Sequence, residues 1–378
     1  MRSVLPESPG APPAGQHTTG LLPCQSIREL VRNGDILGAE PIAEAQIQPA
    51  SLDLRLGPVA YRVRASFLPG AGATVREKID ALAMHEVDLS RGAVLERGCV
   101  YVVPLIESLR LRKRHFGIAN PKSSTGRLDV FTRLITDYAV EFERVREGYS
   151  GPLYAEISPR TFSVLLRTGA RLNQLRIRRG RPAPTDAEMR RLNREVRLVH
   201  SEEGEEDISG GVALRVDLGG GGPAGLVGYR ARRTAGLIDI DKVGHYDPLE
   251  FWEPVHVRGD RGIVLDPGDF YILASKERVT VPPHYAAEMI PYDPAVGEFR
   301  VHYAGFFDPG FGYGGNGGGT PAVLEVRSHE VPFLIEDGQI VGRLVYERLT
   351  GVPERTYGAA IGSSYGAQGL TLAKQFRK

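Results

Sequence analysis

Residues 120–130 read NPKSSTGRLDV and gather Lys122, Ser123, Ser124, Thr125 and Arg127 around Gly126. An ammonium, three hydroxyls, a guanidinium and the amides of a short turn suit a phosphate or carboxylate, because arginine offers a planar fork and turns expose N–H groups to an anion. A polar turn that merely caps a strand reads the same way, so the stretch gains meaning from its neighbours. Downstream lies LYAEIS, in which Leu153, Ala155 and Ile157 alternate with Tyr154, Glu156 and Ser158. A carboxylate in mid-strand faces either solvent or a pocket. In a pocket beside an anion site, Glu156 would be a general acid/base.

Other chemistry is poorly supported by spacing. The runs GGGG (219–222) and GGNGGG (314–319) lack GxxxxGK[ST] and read as loops. His115, His284, His302 and His329 occur singly, without metal-ligand spacing, and no GxSxG elbow is present. Two cysteines, Cys24 and Cys99, can supply neither a disulfide framework nor the PCxxC zinc pair of the common nucleobase deaminases. With no apolar signal segment at the start, a reducing cytoplasm is the expected compartment.

The elements that must position these residues are mostly strands. CVYVVPL, GIVL, FYILA, AVLEV and RLVYERL are short apolar or alternating runs bounded by Gly, Pro or Asp. Gly and Pro make up about a fifth of the chain, which calls for many turns between them. A short helix is expected over Ser26–Gly34, with Ser26 and Glu29 as a capping box, and a second over TDAEMRRLNREV, with Thr185 and Glu188 spaced likewise. Three blocks recur in order at a nearly constant offset. YVVPLIESLRL (101–111) matches YILASKERVTV (271–281), GYSGPLYAEIS matches the run ending TPAVLEVRS and so pairs Glu156 with Glu325, and FSVLLRTGARLNQLRI matches VPFLIEDGQIVGRLVY and pairs Gln174 with Arg343. The pattern predicts a mainly β chain with a few short helices: a flexible tail (1–20), a first β domain (21–180), a helix-bearing linker (181–207) and a second β domain (208–378). The counterpart of the donor-rich stretch, IPYDPAVGEF (290–299), has lost the serines and the arginine.

With 378 residues the chain can bury sizeable cores, and no apolar run approaches the roughly 20 residues a membrane helix needs. Forty-seven basic residues against 46 acidic ones leave a net charge of +1, which argues against a whole-surface grip on nucleic acid or anionic lipid.

Together these segments resemble the dCTP deaminase branch of the dUTPase superfamily, in its long bacterial form with two tandem domains. QPASLDLRLG (48–57) is similar to the family's early strand motif and PKSSTGRLD to its RSSxxR signature. LYAEIS matches the strand of the catalytic glutamate, AGFFDPGFG (304–312) the DPGW turn, and Tyr365, Gln368, Gly369 and Thr371 the YxxQGxT tail that closes over nucleotide. The resemblance implies jelly-roll-like β domains and deamination of dCTP at C4, without zinc, to dUTP and ammonia, supplying dUTP for thymidylate synthesis. Glu156 would be the acid/base, Ser123 would hold the water, and Arg127 would position Ser123. Lys122, Ser124 and Gln174 would contact the triphosphate with its Mg2+, and Tyr365 and Gln368 would close the site. A homotrimer or a multiple of one, and inhibition by dTTP, are implied as well.

The chain also departs from the pattern. In the first half the DPG aspartate is replaced by Arg146; the second half keeps Asp308 but lacks SSxxR. Either the first half alone is catalytic and Glu325 idle, or a site is shared between halves or between chains. Competing functions are dUTP pyrophosphatase, alone or joined to deamination with dUMP as product, and a non-catalytic nucleotide-binding regulator. Arg146 speaks against the first and the pairing of Glu156 with SSTGR against the second.

Overall fold

The computed structural model describes residues 17–180, 185–201, 206–219, 225–257, 262–291, 299–301, 305–313, 318–328, 330–357 and 369–378. Most of the expected flexible tail (1–20), the serine-poor counterpart over 292–298, His302, His329, Tyr365 and Gln368 lie outside these residues. Within them, every apolar run singled out above is a strand.

Two antiparallel six-stranded sheets carry the chain. In the first, Ala83–Asp88, Val59–Val63, Val100–Arg110, Ser150–Pro159 and Val130–Thr136 lie side by side in that order, with Ile36–Gly38 added to Val100–Arg110. In the second, Trp252–His256, Leu226–Ala231, Phe270–Val279, Thr320–Ser328 and Phe299–Val301 follow the same order, with Val199–His200 added to Phe270–Val279. Each sheet is backed by a smaller one, centred on Asn173–Arg179 in the first half and on Ile340–Arg348 in the second. The result is two tandem jelly-roll-like β units, as expected.

Local signals were read correctly at one helix and incompletely at another. Helix Asp186–Val196 begins at Thr185, whose hydroxyl accepts from Glu188 N while Glu188 Oε2 accepts from Thr185 N. It is no free connector, because Met189 and Leu192 enter the second half's core and Val199–His200 joins its sheet. Helix Cys24–Arg32 starts two residues before Ser26, with Pro23 as its N-cap, and makes no side-chain cap bond; it still ends before Gly34, whose φ of +73° favours glycine. Helix Val75–Leu82, capped by Thr74 and Glu77, was not anticipated.

The halves share a core. Leu56, Phe162 and Val164 from the first pack with Phe251, Trp252, Phe270, Leu372 and Phe376 from the second. The aromatic rings of Phe162, Phe251, Trp252 and Phe376 meet edge to face at centroid distances of 5.5–5.9 Å. Strand Val164–Leu166 pairs in parallel with Ile238–Asp239 across the same boundary.

Candidate active site

The donor-rich segment forms a single tight turn. Strand His115–Pro121 ends, Lys122 stays extended, Ser123–Gly126 makes one helical turn and Arg127 closes it. Lys122 N and Thr125 Oγ1 both donate to Leu172 O, at 2.8 and 3.1 Å, which fastens the turn to the chain entering strand Asn173–Arg179. Thr125, Gly126 and Arg127 are buried, whereas Lys122, Ser123 and Ser124 remain half-buried and reachable.

The carboxylate that meets this turn comes from the other half of the chain. Glu325, in the middle of strand Thr320–Ser328, lies with Oε1 3.9 Å from Arg127 Nε. Its Oε2 sits so close over Gly126 that any Cβ there would clash with it, which gives the glycine a steric reason. Burial pushes the Glu325 carboxyl up to about 8; Arg127 opposes the rise and Asp129 adds to it. Arg127 also donates through Nη1 to Thr371 O at 3.1 Å, so the C-terminal segment crosses the same turn.

Glu156 lies elsewhere. It is only 2% exposed, on strand Ser150–Pro159 directly opposite Arg133, and Arg133 binds its Oε1 through Nε at 3.1 Å and through Nη2. Arg133 in turn reaches Ser66 Oγ at 2.8 Å and stacks over Phe142, 3.5 Å from the ring centroid. This face of the sheet is covered by Phe67 and Leu68 and by Val75 and Ile79 of helix Val75–Leu82. The structure therefore brings Gly126 and Arg127, in the turn that carries Ser123, to Glu325 and pairs Glu156 with Arg133. Strand alternation set which face each glutamate occupies, but not what packs on that face.

Behind the turn, Asp53, Lys122, Ser124, Thr125, Arg171 and Lys374 line a cavity of about 270 Å3. Lys122 is ion-paired with Asp53, and Arg171 Nη1 stands 3.9 Å from the same carboxylate. Burial raises the Asp53 carboxyl, with Lys122 and Arg171 opposing, and burial lowers the Lys374 ammonium, helped by Lys122. Three cations, Lys122, Arg171 and Lys374, against two carboxylates, Asp53 and Asp241, leave an excess of positive charge, suited to an anion. Gln174 is buried next to Asp53 in strand register, accepts from Ser51 Oγ at 3.3 Å and is not part of the cavity wall. Tyr365 and Gln368 fall outside the described residues. Arg171 and Lys374 escaped the sequence reading, although Lys374 follows Gln368 by six positions in the C-terminal tail. That tail is held: Phe376 is buried, and His245 N and Tyr246 N donate to Gln375 O.

Asp308 of the DPG turn is half-buried, and desolvation raises its carboxyl while Arg176, 3.4 Å away, opposes. Arg176 is almost wholly enclosed and also donates to Ala287 O and Phe307 O, at 2.9 Å each.

Comparison with known proteins shows the family. Residues 18–181 match the 2'-deoxycytidine 5'-triphosphate deaminase N-terminal domain and residues 185–376 its C-terminal domain. The solved structure of 2'-deoxycytidine 5'-triphosphate deaminase from Agrobacterium tumefaciens is 54% identical with a TM-score of 0.85, covering 89% of this chain and 100% of that one. Proteins named dCTP deaminase, dUMP-forming, from Beutenbergia cavernae and Kocuria rhizophila are each 32% identical over 160 and 156 residues, which are 40% and 39% of this chain and 80% and 78% of theirs. Among the described residues no helix is long and apolar enough to cross a membrane. The chain belongs to the two-domain dCTP deaminase family, hydrolytic deaminases of a nucleoside triphosphate.

Proposed function

We propose that dCTP is deaminated between the Ser123–Arg127 turn and Glu325, and that the product released is dUTP. The observation that carries this reading is the buried Glu325 carboxyl against Gly126 and Arg127. Ionised Glu325 takes a proton from a water held at Ser123 while the water oxygen bonds to C4, and the electron pair of the C4–N3 double bond moves onto N3. Glu325 then returns its proton to the amino group, the C4–N bond breaks and ammonia leaves. The second proton of the water ends on the uracil ring, so one water is consumed for each ammonia released. Arg127 holds Ser123 and balances charge gathering in the intermediate, in a site where water is largely excluded.

The triphosphate lies in the cavity of Lys122, Ser124, Arg171 and Lys374, with Gln174 supporting Asp53 from the neighbouring strand. That donor set fits phosphate oxygens. The two carboxylates at its wall, Asp53 and Asp241, are already engaged by Lys122 and Arg167, so Mg2+ arrives with the nucleotide and offsets its phosphate charge. The same contacts would serve dTTP as an inhibitor. Because donor turn and glutamate come from one chain, the two meet without a second chain, and specific activity should hold on dilution.

A second reading has support. The relatives named above carry dUMP-forming names, and Asp308 is the family aspartate that would activate water at the α-phosphate. The engagement of Asp308 by Arg176 favours dUTP. Purified protein incubated with dCTP and Mg2+ should give dUTP and ammonia in equal amounts without pyrophosphate. Accumulation of dUMP and pyrophosphate would establish the second reading. Activity should survive exhaustive zinc chelation once Mg2+ is resupplied; recovery only with zinc would refute the Glu325 mechanism.

A further inference from the structure

Two residues beyond Glu325, strand Thr320–Ser328 carries Arg327, which alternation places on the same face. Two residues beyond Arg127, the donor-rich segment carries Asp129. The two are ion-paired across the boundary between the halves, and both are buried. Arg327 Nη2 also donates to Thr161 Oγ1 at 3.0 Å, Nη1 donates to Gly268 O, and Thr161 Oγ1 donates to Asp129 Oδ2 at 2.6 Å.

Asp129 has a φ of +53°, a left-handed conformation that a non-glycine residue holds only when its surroundings impose it. The neighbouring groups do impose it: Asp129 N donates to Gly126 O at 2.8 Å, Arg160 N donates to Asp129 O at 2.9 Å, and the side chain is held by Thr161 and Arg327. One face of a strand thus touches one turn at two points, Glu325 at Gly126–Arg127 and Arg327 at Asp129. Two contacts fix both the distance and the rotation between donor turn and glutamate, which a single contact would leave free. The first half shows the contrast. Glu156, which faces its own sheet rather than another half, is followed at the matched position by Ser158, with no guanidinium to reach across.

We infer that Arg327 and Asp129 are positioning residues for the deamination, a latch between the halves that sets Ser123 and Arg127 in register with Glu325. The inference rests on Glu325 being the acid/base. Catalysis of this kind is sensitive to displacements of about 1 Å, which can cost around 10²-fold.

The test uses the full chain with dCTP and Mg2+, reading kcat, KM and Tm for Arg327→Met, for Asp129→Asn/Arg327→Met, and for Glu325→Gln as a control. Arg327→Met leaves a buried carboxylate without its countercharge and is expected to lower Tm. The double variant removes both buried charges, and asparagine tolerates a left-handed φ, so it should recover Tm. A latch predicts that kcat stays about 10²-fold down in the double variant, with KM within about threefold of the parent. A pair that served only the fold would regain kcat along with Tm, and that result would overturn the inference, as would failure of both variants to fold. If Glu325→Gln turned over like the parent, the acid/base reading itself would fall. If Glu325→Gln lost activity while the double variant kept it, the latch alone would fall.

Discussion

Glu325 and Glu156 sit in similar strands and are both buried, yet they meet different partners. Glu325→Gln keeps the shape of the side chain and removes the base, so kcat should fall by at least about 10²-fold. Glu156→Gln takes the charge from the partner of Arg133, which costs about 1–3 kcal/mol of stability and should leave turnover within about threefold. Steady-state kinetics with thermal melts on the two variants decide the matter, and reversal of the two effects would restore Glu156 as the catalytic group. Titration supplies a second check on Glu325. Its folded-state pKa of about 8 stands above the ordinary 4.5, so the folded protein holds that proton more tightly than the unfolded chain. Stability from this group is complete below about pH 4.5 and is lost as pH rises through about 8. Glu325→Gln, which stays neutral, should therefore gain Tm relative to the parent between pH 5 and 9; an unchanged difference would mean the carboxyl is ionised throughout.

At the scale of elements, the decisive contact is between one strand and one turn. The Ser123–Arg127 turn can lie under strand Thr320–Ser328 because position 126 has no side chain, and Gly126 does not need a positive φ to do so. Gly126→Ala is therefore tolerable to the backbone but not to Glu325 Oε2. It should lower kcat by about 10-fold or more through displacement of the glutamate, with a modest fall in Tm. Melts and kinetics on this variant would tell against the geometry if kcat were unchanged. The helix expected as a linker carries a related point. The capping box at Thr185 sets where Asp186–Val196 starts, but its apolar residues Met189 and Leu192 bind it to the second core.

Across the whole molecule the two halves behave as one structure. Their shared core joins Leu56 and Phe162 to Trp252, Phe270 and Phe376, and the C-terminal segment returns to place Thr371 on Arg127 and Lys374 at the triphosphate cavity. Separate unfolding would expose that core and strand Val164–Leu166 together. Calorimetry should show one cooperative transition, with calorimetric and van't Hoff enthalpies in agreement. Two resolved transitions would mean that the halves are energetically independent and the shared site more loosely held.

What the sequence determined was local. Strand periodicity, the Thr185 cap and the crowding of donors at 122–127 depend on neighbours a few residues apart, and they survived into the structure. The choice of glutamate did not follow from them. LYAEIS and VLEVRS each place a glutamate at an alternating position, and alternation names a face without naming its cover. Burial of Glu156 under residues 59–82 and of Glu325 against Gly126 is set by contacts spanning up to about 200 residues. The same holds for Lys374, whose arrival at the cavity depends on Phe376 finding a core built from both halves. Packing between distant segments depends on shape and buried area summed over many residues, and no spacing rule along the chain encodes that sum.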